Sequence, residues 1–226
     1  MRLIMLNEWR QWARERRLIA LLIFGVVIGA VALWHQLDYQ ADLLDVRQDA
    51  QQKSRREWLS QEPKHPHMAA HFGNYAYKKP SPMHGFDPGL TPYTGSSVYM
   101  EPHRQNDFLF SQSQENGTGL RFGWLSPALI CQLVFPLLII LFSFNGINGE
   151  RERGTLPLLL AQGIDLRRIL FAKTLATFLV FELGFTVLFA ATLGMSRLVM
   201  ATTVPVSTML YVWSIYTLYL FCWSLL

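Results

Sequence analysis

The chain has 226 residues, 51% of them hydrophobic and only 16% charged, with a net charge of +4. Ordinary soluble domains carry about 25% charged residues, so the shortfall points to surface that faces something other than water. The basic residues flank apolar runs instead of forming one tract, which reads as a membrane-topology signal and excludes a nucleic-acid surface.

Residues 1–17, MRLIMLNEWRQWARERR, place Leu3, Leu6 and Arg10 on one helical face, with Trp9 and Trp12 near a membrane edge. That pattern suits a short interfacial, elbow-like helix. Leu18–Trp34 is uncharged and about 17 residues long, the lower limit for a spanning helix. Arg14, Arg16 and Arg17 give it the basic flank of a signal peptide. No small-x-small cleavage site follows, however, and the run ends on Trp34, an interfacial residue, so it is read as an uncleaved first span.

Residues 35–123 are the large region outside the spans. Leu37, Leu43, Leu44, Val46 and Ala50 carry a helical period onward to about Leu59, which predicts a helix rising out of the membrane. Pro63 ends that pattern. Pro, Gly, Ser and aromatic residues then alternate, predicting turns and extended chain packed on itself. Phe72, Tyr75, Tyr77, Phe86, Tyr93 and Tyr99 argue against plain disorder. Five histidines fall here: His65, His67, His71, His84 and His103. Imidazole suits zinc and copper, which makes His65, His67 and His71 weak metal candidates. Their spacing fits no familiar ligand frame and prolines interrupt it, so no metal is expected. Asn116-Gly117-Thr118 matches a glycosylation acceptor, a three-residue pattern that recurs by chance.

Trp124–Phe144 is the second span. Pro127 and Pro136 would kink or break a soluble helix, but within a bundle neighbouring helices can re-satisfy the freed carbonyls. The third span covers 169–194, with Lys173 at its start and Glu182 inside it. The fourth covers 204–226 and carries no charge but many Tyr and Trp residues. All four are apolar all round, whereas a helix of a soluble protein is apolar along one stripe. Cys131 and Cys222 fall inside these runs and read as small buried hydrophobes. The expected fold class is mainly α: a polytopic transmembrane helix bundle of four spans, with an extracytoplasmic domain between the first two. A carboxylate at bilayer depth is costly, so Glu182 should face the bundle interior or be protonated. It reads either as part of a substrate or proton path, or as an internal hydrogen-bond partner of Thr177 or Thr186.

The excess of Arg and Lys in residues 1–17 and in the connection 145–168 puts both on the cytoplasmic side. The turn holding Arg197 and the region 35–123 then lie outside. In the connection, a short helix begins near Thr155 with Pro157 in its first turn, where a missing N–H is harmless. Leu156, Leu158, Leu159 and Leu160 make it apolar, and Gly163 is a helix stop. Asp165 can cap the next helix, with Arg167 and Arg168 at the membrane edge. Such an element can press into a groove on a soluble partner.

The stretch Glu150-Arg151-Glu152-Arg153-Gly154-Thr155-Leu156, followed by Gly163-Ile164-Asp165 and Ile169-Leu170-Phe171-Ala172-Lys173, resembles the signature of ABC-2 type transporter permeases. The stretch PHMAAHFGNYAYKKPSP, with FDPG, PYTG and EPHRQND after it, resembles a DUF3526-like subgroup with a large periplasmic insertion. The resemblance implies a separate ABC ATPase subunit, which brings ATP and magnesium, and a second permease subunit, identical or related. No cofactor belongs to this chain itself. It implies an ATPase-coupling role for Glu150, Glu152, Gly154, Thr155, Leu156 and Gly163. It also implies a bacterial inner-membrane location, with a cytoplasmic N-terminus and the bilayer as solvent. Pro157 departs from the family pattern. These permeases have six spans, so a chain that stops in its fourth is expected to be a truncated copy.

The expected function is therefore the membrane subunit of an ATP-driven exporter. The chain has no phosphate-binding G-x-x-x-x-G-K-[ST] loop, so ATP hydrolysis is expected elsewhere. The alternative is a membrane-anchored binding or assembly factor that uses ATPase-driven movement without transport. A membrane enzyme is not expected, because no H-E-x-x-H, G-x-S-x-G or paired intramembrane acid occurs.

Overall fold

The computed structural model describes residues 1–78, 81–101, 103, 108–109, 125–200 and 203–226. The Asn116 acceptor, residues 110–123 of the expected external domain, Trp124 at the expected start of the second span, and most of the EPHRQND motif lie outside the described residues.

Helix α1 (Arg2–Trp12) packs on the bundle by one stripe, opposite the exposed Leu3. Leu3 is 81% exposed, while Glu8 and Trp12 are buried and Met5 and Trp9 pack on the core. These four residues follow the i, i+3, i+4, i+7 spacing of one helical face. The tryptophans decide which face turns inward. The Trp9 indole N–H donates to the Ala176 carbonyl at 3.1 Å, and Trp12 meets Phe142 edge-on at 5.2 Å.

Helix α2 (Arg16–Leu59) is unbroken over 44 residues, so the first apolar run and the helical period beyond it are one rod. It buries only Gly25, Gly29, Ala32, Gln36, Leu37 and Gln40. Small residues four apart let helix backbones approach closely where lipid supplies no hydrophobic drive. At Gly25 a Cβ would already lie 3.0 Å from Leu138 Cδ1. Leu18, Leu21, Leu22 and Ile28 are partly covered by the core, while Ile23, Val26 and Val31 face outward.

The segment between α2 and the next long helix holds α3 (Pro66–Ala70), β1 (Asn74–Tyr77), α4 (Thr91–Thr94), β2 (Ser97–Met100) and β3 (Phe108–Leu109). The strands form one antiparallel sheet in the order β1-β2-β3, with Tyr75 opposite Tyr99. Between β1 and α4, residues Met83–Phe86 leave this layer and plug the helix bundle. Phe86 is 1% exposed. Its ring meets Phe189 at 5.0 Å and Tyr216 at 5.2 Å. Its carbonyl accepts from the Ala128 N–H at 3.1 Å, and Gln36 Nε2 donates to the His84 carbonyl at 2.9 Å.

Helix α5 (Pro127–Glu152) begins with Pro127 at its first positions, under a Ser126 side chain that accepts from the Leu129 N–H. Pro127 therefore starts the helix and produces no kink. Pro136 does interrupt it. A proline cannot bond to the carbonyl four residues back and crowds it. Ile130–Val134 widen into a π turn at this point, and the Gln132 carbonyl accepts from the Tyr219 hydroxyl at 2.8 Å. The partner comes from a neighbouring helix, as the bundle argument requires.

Helices α6 (Thr155–Ala161), α7 (Leu166–Met200) and α8 (Val206–Ser224) complete the chain. Arg197 lies within α7 and not in a turn, because the helix continues past the expected end of its apolar run. Cys131 is buried, but Cys222 is exposed on the outer face of α8. Four helices, α2, α5, α7 and α8, are long and apolar enough to cross a membrane. Their outward leucines, such as Leu137, Leu183, Leu210 and Leu218, are more than half exposed. Contiguous apolar surface of this kind is untenable in water, so the chain is a mainly α, polytopic membrane bundle.

Two predictions test the plug. A Cβ at Gly85 would overlap Ser196 Oγ and lie 3.3 Å from Ser196 Cβ. Gly85→Ala should lower the melting temperature of the detergent-solubilised protein, and adding Ser196→Ala should restore most of it. Equal melting of Gly85→Ala and wild type would place the plug elsewhere. The second concerns pH. Burial holds the His84 imidazole below its ordinary value, with Lys78 acting the same way and Asp87 opposing. The unfolded chain therefore takes up this proton first as pH falls. The stability that neutral His84 supplies is complete above its ordinary value of about 6.5 and declines below it, by up to about 1.4 kcal/mol per pH unit. His84→Gln should flatten melting temperature against pH between about 6.5 and 5.

Candidate functional site

The connection between α5 and α7 turns twice through glycine. Gly154, at φ +69°, starts α6, and Gly163, at φ +79°, follows its end. A side chain at either would cost about 1 kcal/mol or more in that left-handed region. Asp165 Oδ1 accepts from the Arg167 N–H at 3.3 Å and caps the first turn of α7. None of the α6 residues is buried, and Leu158 and Leu160 are exposed at 63% and 43%. Helix α6 therefore presents apolar side chains outward between two spans. Leu156 is half-buried, and Glu152 is exposed at the end of α5.

Beneath this turn lies a charge node. The Lys173 ammonium, in the second turn of α7, bonds Glu8 Oε1 of α1 and stands 3.2 Å from Glu150 Oε1 of α5. All three residues are buried. The Thr155 hydroxyl donates to the other Glu150 oxygen, which ties the first residue of α6 to the same node. Alongside, Arg153 Nε donates to the Gly149 carbonyl at 2.9 Å and its terminal nitrogen reaches Gln11 Oε1 at 3.5 Å. Two carboxylates share one ammonium, so the node relies on its hydrogen bonds as well as on charge. Four elements, α1, α5, α6 and α7, meet there.

Of the residues expected at the coupling element, Glu150 and Thr155 meet in this node, Gly154 and Gly163 set the turns, and Glu152 and Leu156 stand apart from it. Glu8 was not foreseen. Its signal was present, because it is the one acid among Met5, Trp9 and Trp12 on the packed face of α1. Lys173, a charge at the start of a span and the last residue of the signature stretch, carries no sequence sign of its carboxylate partners.

Glu182 turns into the bundle between α7 and α8. Its Oε1 accepts from Thr217 at 2.8 Å and lies 3.5 Å from Thr186, whose hydroxyl oxygen accepts from the Trp213 indole N–H at 3.2 Å. Thr177 is not a partner, because its hydroxyl bonds back to the Lys173 carbonyl at 3.2 Å. Gln132 Nε2 donates to the Tyr216 hydroxyl at 2.6 Å and joins α5 to α8. Among the described residues, no group of three or more His, Cys, Asp or Glu is placed to hold a metal ion. His65 Nδ1 accepts the His67 backbone N–H at 3.3 Å, whereas His67 and His71 face each other.

A family model described as "ABC-2 family transporter protein" matches residues 2–226. No curated protein and no solved structure shows a match to the chain.

The node yields a stability prediction. Lys173→Met removes the ammonium and leaves two buried carboxylates facing each other, at a cost of about 3–5 kcal/mol. A fall in melting temperature is expected in detergent, with Lys173→Arg retaining most of the wild-type value. Identical melting of Lys173→Met and wild type would remove the node as a structural element.

Proposed function

The chain belongs to the ABC-2 transporter family, over residues 2–226, and from that membership we propose that it is the permease subunit of an ATP-driven exporter in a bacterial inner membrane. A separate ABC ATPase subunit binds ATP and magnesium and docks on α6 from the cytoplasm, and the chain itself is not an enzyme. A second permease subunit, identical or related, completes the transport path. The segment between α2 and α5 is the periplasmic insertion of the DUF3526-like subgroup, and the N-terminus is cytoplasmic.

The observation that carries the coupling assignment is the exposed apolar face of α6 directly above the Glu8–Lys173–Glu150 node. A push on α6 reaches α1, α5 and α7 together through Thr155 and Glu150, which is what rigid-body rocking of a bundle requires. Glu182 and its hydroxyl partners line the inter-helix region of the proposed path.

A second reading, a membrane-anchored binding or assembly factor, draws on a different observation. The bundle is sealed by Phe86, while a cavity of about 290 Å³ lined by Ser54, Glu57, Trp58, Phe72, Tyr75 and Tyr99 opens on the segment between α2 and α5. In that reading the ATPase moves the rod α2 and the cavity acts on a ligand without transport.

Co-purification with a cognate ABC ATPase tests the docking site. Leu158→Asp, Glu152→Lys and Gly154→Pro should each reduce recovered ATPase by about tenfold or more, the loss of one strong contact, and the two variants at exposed side chains, Leu158→Asp and Glu152→Lys, should keep the wild-type melting temperature. Proline cannot adopt the positive φ of Gly154, so that variant displaces the start of α6. Undiminished recovery with all three would move the docking surface away from α6.

A further inference from the structure

We propose that His67 and His71 form a binding site for one transition-metal ion of the zinc or copper type, held outside the membrane bundle at the end of α3. The case starts from the turn that carries them. Pro66 occupies the first helical positions of α3 and His65 Nδ1 accepts the His67 N–H, so the turn is fixed before any ion arrives. His71 follows α3 in helical backbone geometry. Residues i and i+4 then lie one above the other on one face.

The two imidazoles use that placement to converge. His67 Nε2 and His71 Nε2 are 3.2 Å apart. Two nitrogens bound to one tetrahedral zinc at 2.0–2.1 Å are about 3.3 Å apart. The rings lie 76° apart with centroids at 4.7 Å, so they meet at their edges and do not stack. The two Nε2 atoms are thus spaced as two ligands of one ion are. A hydrogen bond between the rings is the competing account, but both residues are exposed. Such a bond gains little over the water it replaces. A third imidazole, His103, lies nearby, its ring centroid 5.4 Å from that of His71, and is not counted as a ligand. His103 itself sits at φ +66°, in the left-handed region.

Imidazole selects zinc, copper and nickel over magnesium and calcium, which prefer oxygen ligands. The site carries two protein ligands, so solvent or a further ligand completes the shell. His65 is not a ligand, because its Nδ1 is engaged in capping the turn. The site stands on this geometry alone and does not depend on the transport reading.

The test is metal binding by the purified full chain in detergent, with Zn²⁺ competed against a chromogenic chelator and Cu²⁺ followed by electron paramagnetic resonance. Wild type should bind one ion per chain. His67→Ala, His71→Ala and His71→Gln should each weaken it by at least about tenfold, the loss that even an outer-shell partner produces. His71→Gln keeps a hydrogen-bonding side chain and separates metal ligation from a simple ring–ring bond. His65→Ala should still bind one ion. The copper spectrum should show imidazole nitrogen couplings that decline in His67→Ala and His71→Ala. Zinc binding by His71→Gln equal to wild type, or nitrogen couplings unchanged in both alanine variants, would overturn the site.

Discussion

The ammonium of Lys173 stands where three helices could otherwise separate, and it does so between two carboxylates from distant parts of the chain. Glu8 comes from the first helix and Glu150 from the end of α5, the second of the four long helices. Interfacial helices are usually held by apolar contact with the membrane surface. Here α1 is also fixed by a buried ion pair, by the Trp9 indole bond to Ala176 and by Trp12 on Phe142. Removing any one charge strands another in a poorly solvated place, so the node makes the relative position of α1, α5 and α7 specific and not merely favourable. Helix α6 inherits that position through Thr155.

Deeper in the bundle the same logic applies without full charges in pairs. Helix association in lipid lacks the hydrophobic drive available in water, and it depends on close packing and on polar contacts between helices. Close packing comes from Gly25 and Gly29 on α2. Polar contact comes from Thr217 on Glu182, Tyr216 with Gln132, and Tyr219 on the Gln132 carbonyl. The last exists because Pro136 has no N–H for the Gln132 carbonyl, so a residue that weakens one helix creates a seam between two.

The spans were legible because a charge-free apolar run of sufficient length has few other solutions. The start of α6 near Thr155, its stop at Gly163 and the cap at Asp165 were legible because each rests on chemistry local to a few residues. What escaped was long-range. Nothing near Glu8 says that its partner lies 165 residues away. The insertion of Met83–Phe86 into the bundle was hidden in a stretch that reads as turns, since a single aromatic residue carries no period. The packing of Glu8, Trp9 and Trp12 on the bundle is likewise long-range, since their partners Lys173, Ala176 and Phe142 lie far along the chain. Arg197 was placed in a turn because charge was taken to end a helix, whereas backbone hydrogen bonding continues it.

Helix α2 has a mechanical consequence. Its 44 residues amount to about 66 Å at 1.5 Å per residue, roughly twice the thickness of a bilayer's hydrocarbon core of about 30 Å. A rod of that length pivoting on its narrow glycine stripe is a lever. The far tip lies about 45 Å beyond Gly29, so a tilt of about 5° at the pivot moves it by about 4 Å. The far end of α2 carries Ser54, hydrogen-bonded to Asn74 of the sheet, while its near end starts beside α1. A small rotation of α2 is thereby magnified at the aromatic cavity that Ser54, Glu57 and Trp58 help to line.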